Sequence, residues 1–189
     1  IDRIHQGGLI GYVIIMLASL GIGFGLYLLV IKLLVAKQVQ YQLKNLDSPM
    51  NDNPLGRVLA VYNTERELDD LETLEMKRDE AVLKELPEIE KGQSLIKLLA
   101  AVAPLLGLLG TVTGMIASFQ SITLFGTGDP KLMAGGISQA LITTVLGLVA
   151  AIPLLFVHNI ISTRSKALIQ ILTQQSAGMI ADQAQKGQG

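Results

Sequence analysis

The sequence contains no cysteine and no tryptophan, and only 16% of its 189 residues are charged. Without cysteine the chain cannot form a disulfide, a thiolate nucleophile or a cysteine-ligated metal site. Soluble domains carry about 25% charged residues, so this composition indicates a membrane protein. The net charge of −1 gives no basic surface for nucleic acid. We predict no metal site, no cofactor and no enzymatic activity, because no catalytic constellation is visible.

Three stretches without acidic or basic side chains are long enough to cross a bilayer. They are residues 6–31, 98–128 and 132–163, the last apart from His158. A bilayer core of about 30 Å needs roughly 20 apolar residues in a helix. We therefore predict an all-α membrane protein with a first transmembrane helix (1–35), a cytoplasmic helical region (36–97), a second transmembrane helix (98–128), a third (129–163) and a cytoplasmic helical tail (164–189).

Positively charged residues are concentrated on one side of these predicted spans. Nine Lys or Arg lie between residues 36 and 97 and three more follow Thr163, whereas the opposite side has only Arg3 and Lys131. Because cytoplasmic loops are enriched in Lys and Arg, we expect the N-terminus outside and the C-terminus in the cytoplasm. The chain begins at Ile1, so we expect a processed or trimmed form, with the first stretch as an anchor rather than a signal peptide.

The long connection is predicted to be helical. Its apolar residues recur at spacings of three and four between Leu55 and Ile89, which is the period of a helix. Asn53 and Pro54 fit a helix start, as cap and first-turn residue. Gly92 marks a break before the second membrane helix. No stop signal follows the third membrane helix, so we expect it to continue as one long helix.

The second and third membrane helices each carry a face of small residues at steps of three and four. Such faces let membrane helices approach closely, because their association depends on packing. The contact could form within one chain or between identical subunits, and both alternatives stay open. Prolines inside these helices free a carbonyl and can bend the helix. We assign helix packing to Gly107, Gly110, Gly114, Gly136, Pro104 and Pro153.

The polar side chains in these two helices include threonines and one amide, with no acid. A lone membrane threonine normally bonds a carbonyl of its own helix. Thr111 and Thr144 nevertheless lie near mid-membrane on adjacent helices, and several copies around an axis could form a hydroxyl ring. Gln139 needs a partner, since unpaired burial of an amide costs roughly 2–7 kcal/mol. Both an interhelical clasp and a lining role remain open for it.

Three motifs together resemble the ExbB/TolQ/MotA family of inner-membrane proton-channel stator subunits, with ExbB the nearest. They are Asn-Pro-Leu-Gly-Arg at 53–57, the Gly- and Thr-rich segment at 103–114, and the segment at 136–153 that begins Gly-Ile-Ser-Gln-Ala-Leu. The resemblance covers nearly the whole chain. Three spans with one large cytoplasmic connection are similar to ExbB and TolQ, whereas MotA-type proteins have four spans.

The resemblance implies a homo-oligomeric ring, a pentamer in this family, in the bacterial inner membrane with the N-terminus periplasmic. The ring would enclose helices of an ExbD-type single-span protein that supplies a membrane aspartate. The work would pass to a TonB-type protein that energises outer-membrane transport such as iron uptake. The alternatives are a TolQ-type subunit of the Tol envelope system and a non-conducting membrane scaffold.

The resemblance also implies pore-lining residues. Thr111 and Thr144 match the pore threonines of the family, and we add Gln139, Ala140 and Gly147 to this set. Relatives commonly have Glu at the position of Gln139, so a mechanism that titrates that acid cannot operate in this chain. We expect the proton carrier to come from the partner.

Overall fold

The computed structural model describes residues 7–46, 48–65, 71–126 and 130–186, and within these residues the chain is helical with no strand. The helices, in chain order, are α1 (Gly8–Leu43), α2 (Pro54–Glu65), α3 (Leu71–Glu90), α4 (Gln93–Phe125) and α5 (Pro130–Lys186).

Three stretches are long and apolar enough to cross a membrane: Gly8–Leu43, Glu72–Leu124 and Met133–Ala181. The prediction of an all-α membrane protein with three candidate spans is therefore confirmed. Only between 22% and 33% of the most apolar part of each stretch is buried inside one chain. The remaining apolar surface is suited to lipid or to other protein chains, because neither contact requires hydrogen bonding from these side chains.

The helix ends follow the predicted local signals. The amide of Gly56 donates to Oδ1 of Asn53 at 2.8 Å, so Asn53 caps α2, whose first residue is Pro54. Gly92, with a φ of 83°, separates α3 from α4. Both predictions are confirmed, and α5 runs unbroken through Pro153 to Lys186 as expected. Asp129, which precedes α5 in the sequence, and Arg3 lie outside the described residues.

The chain divides into two compact units. The first unit comprises Ile1–Tyr27 and Gln93–Asn159, and therefore contains the start of α1, all of α4 and the first part of α5. One buried cluster of this unit consists of Ile14, Ala103, Ala150 and Ala151, and Ile96 and Leu154 are fully buried as well. Three of the four residues of the cluster are alanines, so the helices meet there with little side-chain volume between them.

The second unit comprises Leu28–Gly92 and Ile160–Gly189. Its core gathers apolar residues from α1, α2, α3 and α5. They are Val39, Leu55, Val58, Leu59, Ala81, Ile89, Leu168 and Leu172. Further along, the hydroxyl of Tyr62 donates to the carbonyl of Met179 at 3.0 Å, which ties α2 to the end of α5. The predicted helical connection is thus a helical bundle with its own core.

The segment between α1 and α2 is folded around the fully buried side chain of Gln42. Its amide nitrogen donates to the carbonyls of Asn45 (2.7 Å) and Ser48 (3.1 Å), and its oxygen accepts from the amide of Met50 at 2.9 Å. A Cβ at Gly56 would lie 1.8 Å from the Met50 carbonyl oxygen. Only glycine therefore fits at position 56 of the Asn-Pro-Leu-Gly-Arg motif.

The last residue of that motif, Arg57, joins α2 to α3. Its Nε and Nη2 donate to the two carboxylate oxygens of Glu85 at 2.8 and 2.5 Å. Hydrogen bonding to Glu85 raises the pKa of Arg57 above its ordinary value, although partial burial opposes this. Glu85 is only 8% exposed, so its carboxylate depends on this two-pronged contact.

Candidate functional site

The small-residue faces of α4 and α5 contact each other within one chain. A Cβ at Gly107 would lie 3.0 Å from the carbonyl oxygen of Thr143 and 3.4 Å from Cα of Gly147. A Cβ at Gly114 would lie 2.7 Å from the carbonyl oxygen of Gly136. Backbones can approach this closely only where side chains are absent. Of the two alternatives left open by the sequence, the structure shows packing within one chain.

Thr143 of α5 lies against Gly110 of α4 in this contact. It is fully buried, and a Cβ at Gly110 would lie 2.2 Å from its Oγ1 and 2.4 Å from its Cβ. Its hydroxyl donates to the carbonyls of Gln139 (3.1 Å) and Ala140 (2.9 Å) of its own helix. Thr143 therefore fills the space that Gly110 leaves, with its polar group satisfied locally.

Thr111 and Thr144 keep part of their surface exposed. Their hydroxyls donate to their own helices, Thr111 to the Leu108 carbonyl at 2.6 Å and Thr144 to the Ala140 carbonyl at 3.4 Å. Adjacent helical residues point about 100° apart. Since Thr143 points into the α4–α5 contact, Thr144 points away from it, and its longer hydrogen bond leaves this hydroxyl the more readily redirected.

Gln139 lies against the start of α1. A Cβ at Gly8 would lie 2.4 Å from Nε2 of Gln139, and Gly8 has a φ of 59°, in the left-handed region that glycine tolerates best. Glycine is therefore favoured at position 8 for two reasons: a side chain there would collide with the Gln139 amide, and the backbone has a positive φ. The Gln139 amide therefore lies close to the start of α1, and both the interhelical clasp and the lining role stay predictions.

Ala140 and Gly147 lie inside the α4–α5 contact. Ala140 is 4% exposed, and a Cβ at Gly114 would lie 3.0 Å from its Cβ. A Cβ at Gly147 would lie 2.7 Å from the carbonyl oxygen of Ala103. Both residues are buried against α4 of the same chain, so we leave them out of the pore lining proposed below.

Pro104 and Pro153 lie inside α4 and α5, and neither proline ends its helix. Each removes one backbone donor from its helix. The helix α5 can continue through Pro153 because membrane helices accommodate proline where neighbouring groups or water satisfy the carbonyl that loses its donor. Both residues are therefore part of the shape of the helix pair rather than of its boundaries.

The sequence patterns missed three residues of the packed helices. Ser118 is 4% exposed and donates to the carbonyls of Gly114 (3.1 Å) and Met133 (3.4 Å), which joins α4 to α5. A Cβ at Gly21 would lie 2.7 Å from Leu154, and one at Gly25 would lie 2.5 Å from Val157. The available signals were the step of four from Gly114 to Ser118 and the Gly-x-x-x-Gly spacing at 21–25.

The sequence is similar to proteins of a known membrane family. Residues 49–174, more than half of the chain, match the sequence model of the MotA/TolQ/ExbB proton channel family. The chain is 41% identical over 102 residues to ExbB-like protein 3 of Synechocystis, described as a biopolymer transport protein, covering 51% of this chain and 49% of that relative.

Two further relatives carry the names of the two systems considered above. Biopolymer transport protein ExbB of Xanthomonas campestris is 36% identical over 90 residues, which cover 48% of this chain and 36% of the relative. Tol-Pal system protein TolQ of Haemophilus influenzae is 34% identical over 90 residues, 48% of this chain and 40% of the relative. The chain spans less than half the length of these relatives. With its three candidate spans and its paired small-residue helices, the chain belongs to the MotA/TolQ/ExbB proton channel family.

Proposed function

We propose that this chain is the repeated inner-membrane subunit of an ExbB-type complex that uses the proton motive force to energise TonB-dependent outer-membrane transport. One observation carries the proposal. In a member of a proton channel family, the three apolar stretches at residues 6–31, 98–128 and 132–163 contain no acid, while α4 and α5 each carry a partly exposed threonine hydroxyl. A proton path built from this chain alone would have no carboxylate in these stretches, and the hydroxyls of threonine and the amide of Gln139 do not bind and release protons near neutral pH.

The missing carrier is the membrane aspartate of an ExbD-type single-span partner. An ionised carboxylate in hydrocarbon has lost water and needs hydrogen-bond donors. The partly exposed hydroxyls of Thr111 and Thr144 supply such donors, and Gln139 lies on the same helix as Thr144. The membrane potential provides about 2.3 kcal/mol per charge for each 100 mV. A site that held the carboxylate much more strongly would trap it, so neutral donors suit the task.

Several copies of the chain form the channel as a ring, which we propose to be a pentamer in the bacterial inner membrane with the C-terminus cytoplasmic. The small-residue faces are already used within each chain. Contacts between copies therefore use the large apolar side chains that one chain leaves exposed, such as Leu108 and Val112 on α4 and Val145 and Leu148 on α5. The scaffold alternative requires the same contacts but no proton flux.

A TolQ-type role is the second candidate, since identity to the Haemophilus TolQ (34%) and to the Xanthomonas ExbB (36%) extends over the same number of residues, 90. The two roles differ in the partner that is bound. Co-purification from the native organism, followed by identification of the single-span protein and of the protein that receives the work, distinguishes them.

The test of the proposed function is replacement of Thr144 by Val, which keeps the shape of the side chain and removes the hydroxyl. We expect loss of energised uptake in cells, with subunit number and partner co-purification unchanged. Thr143→Val should be milder because that hydroxyl is turned into the helix contact. Thr113→Val is the matched control, since Thr113 is exposed on α4 and bonds only its own helix. Equal, near-normal uptake in all three variants would remove Thr144 from the path.

A further inference from the structure

A buried lysine and a buried serine meet at the end of α3. Lys32 of α1 is 5% exposed, and its ammonium donates to the carbonyl oxygens of Glu88, at 3.1 Å, and Ile89. Ser165 of α5 is 1% exposed, and its hydroxyl donates to the same Ile89 oxygen at 3.0 Å. We name this group the α3 node: the side chains of Lys32 and Ser165 with the carbonyls of Glu88 and Ile89.

The chemistry of the node explains why a cation is buried there. The last four carbonyls of a helix have no partner in the helix and carry partial negative charge. Burying an ammonium is costly unless it is paired and hydrogen-bonded. An apolar side chain of the same length would fill this volume without that cost. The hydrogen bonds to the two carbonyls therefore explain why a lysine is buried at this position. The node thus joins α1, α3 and α5 by polar contacts, and its Ile89 also belongs to the apolar core of the second unit.

The residues of the node lie next to the places where the chain passes from one unit to the other. The chain passes between its two units at three places: Tyr27–Leu28, Gly92–Gln93 and Asn159–Ile160. Lys32, Ile89 and Ser165 each lie within a few residues of one of these crossings, and all three belong to the second unit. The hydrogen bonds of the node therefore tie together every segment by which the chain leaves the second unit for the first.

We propose that the α3 node is a mechanical joint and that Lys32 is its positioning residue. A displacement of any of the three crossing segments is shared by the other two because they hold one carbonyl in common. Movement that proton flux produces in α4 or α5 thereby reaches the bundle of α2 and α3 as one motion. This proposal rests on the proposed function, and it adds the site through which the work is transmitted.

The first arm of the test measures hydrogen exchange and needs no assumption about function. The full chain is placed in lipid nanodiscs as wild type and as Lys32→Met, Ser165→Ala and the double variant, with Lys37→Met as control on an exposed position of α1. We expect amide exchange across residues 88–94 to rise at least about tenfold in Lys32→Met, since charge-assisted hydrogen bonds are lost. Ser165→Ala should give a smaller rise and Lys37→Met none.

The double variant tests whether the two side chains act as one unit. Both donate to the Ile89 oxygen, so their effects should be non-additive, and the double variant should exchange about as fast as Lys32→Met alone. Wild-type exchange in Lys32→Met and in Ser165→Ala, or strictly additive effects, would overturn the joint.

The second arm measures energised uptake by complexes formed with the ExbD-type protein. For Lys32→Met we expect normal subunit number and normal partner co-purification, with uptake lost, a split that a purely structural lysine would not give. If Lys32→Met does not assemble, Ser165→Ala decides, with assembly intact and uptake reduced. Normal uptake in an assembled variant whose exchange is raised contradicts transmission through the node. If wild type supports no uptake with its native partner, the proposed function fails while the exchange arm still tests the joint.

Discussion

The contact between α4 and α5 predicts that Gly110→Ala separates the two helices. The new Cβ would lie 2.4 Å from Cβ of Thr143, whereas ordinary contact begins at 3.4 Å, so about 1 Å of separation is needed. Thr143 cannot turn aside by changing rotamer, because its Cβ is fixed to the α5 backbone. Overpacking of this kind costs roughly 1–3 kcal/mol. The better helix propensity of alanine returns about 1 kcal/mol, which leaves a net loss of roughly 0–2 kcal/mol relative to the unmodified chain.

The assay for this prediction is reversible unfolding in mixed micelles, followed by helicity. Gly23→Ala is the matched control, because Gly23 lies in the apolar part of α1 and a Cβ there meets nothing within 4 Å. It should be neutral or slightly stabilising. The size swap Gly110→Ala with Thr143→Gly removes the clashing atoms, so its cost should fall below the sum of the single costs by about 1 kcal/mol or more. A Gly110→Ala protein as stable as the Gly23→Ala protein would refute the packing argument.

Two further predictions concern the second unit. Gly56→Ala should prevent the segment before α2 from folding, since its Cβ would lie 1.8 Å from the Met50 carbonyl oxygen. Gly178→Ala is the control, because a Cβ there meets nothing within 4 Å. Limited proteolysis should cut the segment before α2 in the Gly56→Ala protein and leave it intact in the Gly178→Ala protein. Arg57→Gln should destabilise the unit by roughly 1–3 kcal/mol because it leaves the carboxylate of Glu85 buried without its partner. Adding Glu85→Gln should recover part of that loss in urea unfolding, and a double variant no more stable than Arg57→Gln would count against the pair.

The parts of the fold that follow from local backbone chemistry could be predicted from the sequence. Asn53 and Pro54 start α2, and Gly92 separates α3 from α4, because capping and positive φ depend on the residue itself. The apolar runs likewise predicted the candidate spans, since crossing a bilayer depends on length and composition. For the same reason the unbroken course of α5 was expected from the absence of a stop signal.

The partners of each face could not be predicted. A stripe of small residues shows that something approaches closely but not what, and the structure shows that α4 and α5 use their stripes on each other. The contact of Gln139 with Gly8 joins residues far apart in sequence. Lys32 follows an apolar run and looks like an ordinary flanking cation, whereas it binds carbonyls more than fifty residues away. Such long-range pairs depend on the packed structure rather than on local pattern.

Proton flux into liposomes tests the central claim, that this chain forms the path and a partner supplies the carrier. Liposomes with this chain alone should hold a pH gradient, because its apolar stretches at residues 6–31, 98–128 and 132–163 contain no acid. Liposomes with the chain and the ExbD-type protein should lose the gradient under an applied potential, and replacing the membrane aspartate of that partner with asparagine should stop the loss. Rapid dissipation by this chain alone would contradict the account.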